Sequence, residues 1–181
     1  MSELFSIQLQ NRQQQGRDGV WLDLPTTTEQ VQAALRQIGI SSDNPQGLFI
    51  SGYFAEEEKR FAIPYNMVLA SNVDELNFLA ARLETLSAGE RAELNAALQA
   101  PQSELSSIGR ITDFPENVDY YVHLPDVHGP AQLGDYYLNR SGMVDMPEEW
   151  KGGIDTAQFG RYVAQQEQGV FTEYGYLVKS G

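Results

Sequence analysis

Apolar and polar residues alternate with a period of two along Phe5-Ser6-Ile7-Gln8-Leu9-Gln10, the pattern of a half-buried strand. A turn-rich stretch, Gln13 to Gly19, then leads into Val20-Trp21-Leu22-Asp23-Leu24, a partner strand stopped by Pro25, since proline has no amide hydrogen for a ladder. The two runs predict a hairpin. Thr26 and Glu29 have capping-box spacing, Val31, Ala34, Leu35 and Ile38 form an i, i+3, i+4, i+7 stripe, and Gly39 stands where a helix stops. A short amphipathic helix is expected there. Leu48–Phe54 reads as a third strand and Phe61-Ala62-Ile63 as a candidate fourth, with an exposed charged run, Glu56 to Arg60, between them. Residues 1–64 are therefore expected to form a small α+β unit.

The pattern changes after Pro64. Asn72 with Glu75 is a second helix start, followed by Leu76, Leu79, Leu83 and Leu86 on one face, and Ser87 with Glu90 is a third, followed by Leu94, Ala97 and Leu98 up to Pro101. These spacings predict a helical unit over 65–108. Beyond it, the aromatic stretch Asp119 to His123 fits a short helix or a strand equally well. Leu133 to Leu138 before Gly142, and Ile154 to Gln166 before Gly169, read as helices ended by glycine. The tail from Gly169 to Val178 reads as two short strands about a glycine turn. The expected architecture is α+β, a chain of three small units at 1–64, 65–108 and 109–181, the last acidic. No internal repeat or heptad array interrupts it, and the glutamines at 13–15 are the one low-complexity run.

Composition narrows the function classes. Hydrophobic residues make up 41% of the 181 and charged residues 20%, enough apolar side chains for packed cores and too few charges for a disordered chain. The start, MSELFSIQLQNR, lacks the basic and then apolar pattern of a secretory leader, and no run of eighteen apolar residues exists, so a cytoplasmic location is expected. The absence of cysteine excludes disulfides, thiol nucleophiles and thiolate metal sites. A net charge of −13 disfavours nucleic acid and anionic membranes as partners and favours cationic ones. The excess is uneven: residues 1–60, 61–110 and 111–181 carry −3, −3 and −7. Between Arg110 and Arg140 stand Asp113, Glu116, Asp119, Asp126 and Asp135 with no lysine or arginine among them, and Asp145, Glu148, Glu149 and Asp155 follow.

Catalytic chemistry finds little support. His123, Asp126 and His128 carry metal-ligating groups, but Pro125 breaks a shared helical face and no other histidine or cysteine completes a shell. There is no G-x-S-x-G elbow, P-loop or G-x-G-x-x-G. Glu148-Glu149, or Asp119 with Asp126, offer paired carboxylates of the kind a glycosidase uses, yet among twenty-five acids neighbours arise by chance, and a solvated charged face is the plainer reading. Tyr120, Tyr121, Tyr136, Tyr137, Trp150, Phe159 and Tyr162 lack the surrounding cations of a base-stacking site, so they read as core or protein interface. No cofactor is expected.

One ordered series of short motifs carries a resemblance: Leu133-Gly134-Asp135-Tyr136-Tyr137-Leu138, Ser141-Gly142, Met146-Pro147-Glu148, Ile154-Asp155, Phe159-Gly160-Arg161, Gly169-Val170-Phe171-Thr172 and Gly175-Tyr176. With Trp21-Leu22-Asp23-Leu24-Pro25 and the Asp74-to-Ala80 stretch upstream, the series resembles the ArdA antirestriction proteins over most of the chain. The glutamine-rich start and residues 55–62 fit least well. The resemblance implies a non-enzymatic protein of conjugative elements and plasmids. In that family an elongated dimer imitates bent B-form DNA with surface carboxylates and inhibits type I restriction-modification enzymes. The nine acids from Asp113 to Asp155 are then the expected mimic surface, and Tyr136 and Tyr137 the expected homodimer contact. Competing readings are an acidic module that binds a basic protein without imitating DNA, and a carboxylate hydrolase, which needs a concave pocket with perturbed carboxyls.

Overall fold

The computed structural model of the chain describes residues 3–14 and 18–179. In chain order its main elements are β1 (Phe5–Asn11), β2 (Val20–Leu24), α1 (Thr28–Gln37), β3 (Leu48–Phe54), α2 (Tyr65–Leu69), α3 (Val73–Leu83) and α4 (Ala88–Gln99). These are followed by α5 (Ile108–Thr112), β4 (Tyr121–Leu124), α6 (Pro130–Asp135), α7 (Glu148–Lys151), α8 (Thr156–Glu167), β5 (Val170–Thr172) and β6 (Gly175–Lys179). The fold is α+β, with two separate antiparallel three-stranded sheets. Part of the turn expected at 13–19, residues 15–17, lies outside the described residues.

Contacts gather the chain into two compact units, residues 1–86 with 105–115 and residues 87–104 with 116–181. This division differs from boundaries at 64 and 108. The helical run after Pro64 belongs to no single core: α3 packs on α5 and β2, whereas α4 packs on β6 and β4. Capping spacing announces a helix but does not say which sheet buries its stripe.

In the first unit β1 lies between β2 and β3. Its odd positions, Ile7 and Leu9, are fully buried and stand opposite Leu22 and Val20, as the period of two requires. Leu76, Leu79 and Leu83 of α3 and Ile108 and Ile111 of α5 extend the buried set. The cap of α1 falls one residue later than the spacing suggests, on Thr27, whose hydroxyl accepts from the Gln30 amide at 3.3 Å. Thr26 is otherwise engaged, because the Asn77 side chain accepts from its N–H at 2.8 Å and donates to its carbonyl at 3.0 Å. Phe61-Ala62-Ile63 joins neither sheet; its alternation reflects the burial of Phe61 and Ile63 and not a ladder.

In the second unit β6 is central, between β4 and β5. The ambiguous stretch at 119–123 is both things in turn, a 3-10 turn (Val118–Tyr120) running into β4. Tyr176 of β6 lies in a buried cluster with Val127, Leu133 and Ala164, against which Leu124, Tyr136, Tyr137 and Val178 pack. The full capping box of Ser87 and Glu90 starts α4. At the crossing of α6 and α8 the backbones touch through glycine: a Cβ on Gly134 would lie 1.9 Å from the Thr156 carbonyl oxygen, and one on Gly160 would lie 1.8 Å from that of Pro130. Glycine is required at both positions by this approach. After α6 the helix widens into a π turn, Tyr136–Arg140, closed by the Ser141 amide on the Tyr136 carbonyl at 2.8 Å. Among the described residues no helix is long and apolar enough to cross a membrane.

Candidate functional site

All nine acids singled out by sequence are exposed. Eight of the nine sit at helix ends or on turns. Asp113 is the C-cap of α5, between buried Thr112 and Phe114, and it belongs to the first unit, while the other eight belong to the second. Glu116 and Asp119 sit on successive 3-10 turns. Asp126 occupies the tip of the turn Leu124-Pro125-Asp126-Val127, closed by the Val127 amide on the Leu124 carbonyl at 3.2 Å; proline at the second position pre-sets that turn. Asp155 caps α8 by accepting from the Gln158 amide at 3.1 Å, and Glu148 and Glu149 open α7, where the helix dipole favours negative charge.

The charges differ in how far they are offset. Asp135 accepts from the Asn139 side-chain Nδ2 at 2.8 Å and lies 3.8 Å from the Arg140 guanidinium, which also stacks on the Tyr136 ring. The window without bases in sequence is thus met in space by the first arginine beyond it. Glu148 pairs with Lys151 at 3.0 Å. Among the described residues, Asp126, Asp145 and Glu149 have no hydrogen-bonding or ion-pairing partner. The second unit carries thirteen acids against five bases and the first twelve against seven, nets of −8 and −5.

Tyr136 and Tyr137 are half-buried and form an edge-to-face pair with centroids 5.4 Å apart. The Tyr137 hydroxyl donates to Glu167 Oε1, and Tyr176 donates to the other oxygen of the same carboxylate at 2.5 Å. Burial first, and then the Glu167 carboxylate, push both tyrosines well above the ordinary phenol range. Glu167 was not anticipated, though one signal existed: it is an acid in the last helical turn, where the dipole disfavours it, so another partner must hold it. Glu93 on α4 was also missed. Burial, with Glu90 and Asp119 adding repulsion, raises its carboxyl to about 7, and its Oε2 is buried without a hydrogen-bond partner. The i, i+3 pair Glu90 and Glu93 is the sequence trace of that repulsion.

The His123 ring Nε2 is 2.7 Å from the Tyr174 carbonyl, which fits an N–H donating to it, and His128 is exposed. No cluster of three or more histidine, aspartate or glutamate side chains suited to a metal occurs among the described residues. What the geometry provides is an acidic α+β scaffold with carboxylates displayed on turns and at helix ends. The family model for antirestriction protein (ArdA) matches residues 15–178, and the chain belongs to that family of antirestriction proteins. No curated protein matches it.

Proposed function

We infer that the chain inhibits type I restriction-modification enzymes by occupying their DNA-binding surface, with carboxylates standing where phosphates would. The observation that carries this reading is the exposure of all nine acids on a scaffold of net charge −13. Duplex DNA presents about one negative charge per 1.7 Å of axis, and proteins meet it largely with lysine and arginine. Carboxylates fixed on turns and helix ends meet the same cations without the energy of bending a duplex. Such a protein needs neither cofactor nor active site, and its partner is the enzyme rather than nucleic acid or membrane. As the family resemblance implies, it acts as a homodimer through the C-terminal part, with Tyr136 and Tyr137 near the contact, in the cytoplasm of a cell carrying a conjugative element.

The test is a type I restriction assay with and without the protein, repeated over a salt series and with duplex DNA as competitor. Inhibition that weakens with salt and is relieved by added duplex supports the reading. Neutralising Asp119, Asp126, Asp145 and Glu149 together to Asn or Gln should erode inhibition and flatten its salt dependence, with single changes doing little. Inhibition indifferent to both salt and competing duplex would favour the plain acidic interaction module instead.

A further inference from the structure

The segment between the π turn and α8 combines two features that pure charge display does not require. Met143 is 75% exposed and Trp150 is 65% exposed, although both are large apolar side chains that water disfavours. They stand among Asp145, Glu148 and Glu149. The one cation of the segment, Lys151, is withdrawn: its side chain is only 14% exposed while that of its partner Glu148 is 83% exposed. Among its charged side chains the segment therefore exposes acids and largely covers its one base.

Its ends are also held. The Ser141 hydroxyl donates to the Tyr137 carbonyl at 2.8 Å and accepts from the Met143 amide at 3.1 Å. Past α7, the Gly153 amide donates to the Trp150 carbonyl at 3.1 Å and the Ile154 amide to that of Lys151 at 3.1 Å. An exposed tryptophan on tethered backbone loses little conformational freedom on binding, which suits it to be an anchor at an interface.

We propose that Trp150, assisted by Met143, is an apolar anchor that seats in a depression of a cationic protein surface while Asp145, Glu148 and Glu149 pair with the cations around it. The proposal rests on the reading above and adds a component of binding that salt does not screen. The occupant is a cationic protein because the acids that flank the anchor along the chain, Asp145, Glu148 and Glu149, are all exposed. An anionic lipid surface or nucleic acid would be repelled, and a second copy of the same segment would bring like charges together.

Binding of the full chain to a purified type I restriction-modification enzyme is measured at low and high salt for the parent, Trp150→Ala, Trp150→Phe and Met143→Ser. Circular dichroism and thermal melting check that each variant is folded. Trp150→Ala is expected to weaken binding about tenfold or more at both salt concentrations with the salt slope unchanged, Trp150→Phe to restore most of the loss, and Met143→Ser to lose less. Folded Trp150→Ala that binds as tightly as the parent at both salts overturns the anchor and leaves the charge-based reading standing. A parent that self-associates in light scattering, with Trp150→Ala monomeric, overturns the cationic occupant in favour of a second copy. If the parent binds but duplex DNA fails to displace it, while Trp150→Ala still weakens it, the anchor stands and the mimicry falls. A parent that does not bind the enzyme at all overturns both.

Discussion

Replacing Glu93 by glutamine should stabilise the protein above neutral pH and leave it nearly unchanged at pH 5. In the folded chain this carboxyl titrates at about 7, against an ordinary value of 4.5, because burial first and then Glu90 and Asp119 disfavour its charge. The folded state thus holds a proton that the unfolded chain releases. Its stabilising effect is complete below pH 4.5 and is lost as pH rises through 7, after which the fold carries the cost of a charged, half-buried group. At about 1.4 kcal/mol per pH unit that cost has an upper limit of roughly 3.5 kcal/mol. The side chain is partly open to water, which screens the repulsion, so about 1–2 kcal/mol is the expected figure. Glutamine keeps the shape and is neutral at every pH. Thermal unfolding followed by circular dichroism from pH 5 to 8.5 should show the two proteins coinciding at the acid end. They should separate by about 2–8 °C at the alkaline end, since 1 kcal/mol moves Tm by roughly 2–4 °C in a chain of this size. Melting curves offset by the same amount at all pH values would refute the argument.

Three further outcomes follow from the packing. Gly160→Ala drives a methyl into the Pro130 carbonyl and should cost about 3 kcal/mol or more in chemical denaturation, because the obstacle is backbone and not a side chain that can rotate away. Glu167→Ala leaves the Tyr137 and Tyr176 hydroxyls without their shared acceptor and should cost about 2–4 kcal/mol; in the parent, both phenols are held protonated by the fold, so stability should fall as pH rises past 10, the ordinary phenol value. Tyr53→Phe removes a buried hydroxyl that has no hydrogen-bond partner and whose pKa burial pushes up to about 12, so equilibrium unfolding should show it within about 0.5 kcal/mol of the parent, or more stable.

Much of the fold was legible because its signals are local. The strands at β1, β2 and β3 follow from alternation, and the starts of α3 and α4 from Asn72 and Ser87, since a cap depends only on residues a turn away. Gly175, at φ +116°, marks the final hairpin for the same reason. Non-local arrangements were not legible. Nothing near Tyr121 shows that β4 pairs with β6, nothing near Ser87 shows that α4 leaves α3 for the second sheet, and α2 and α5 are too short to establish a period. For the candidate site, the density of acids pointed to a solvated charged face, and all nine are exposed. Their offsets escaped notice, because Arg140 returns to Asp135 only through the π turn, and Lys151 hides its stem only once α7 has formed.

The contact of α6 with α8 bears on how such a surface can change. Where helices meet through large side chains, substitutions repack and the spacing drifts with them. Here main chain rests on main chain at Gly134 and Gly160, so there is no compressible layer between the two helices. Asp135, one residue beyond the first glycine, and Asp155, at the start of the helix that holds the second, are mounted on a ruler of fixed length. A randomised library selected for binding should therefore let carboxylates migrate among exposed positions of these helices while returning glycine at 134 and 160 in nearly every survivor: the pattern of charge is free to be rewritten, and the gauge on which it is written is not.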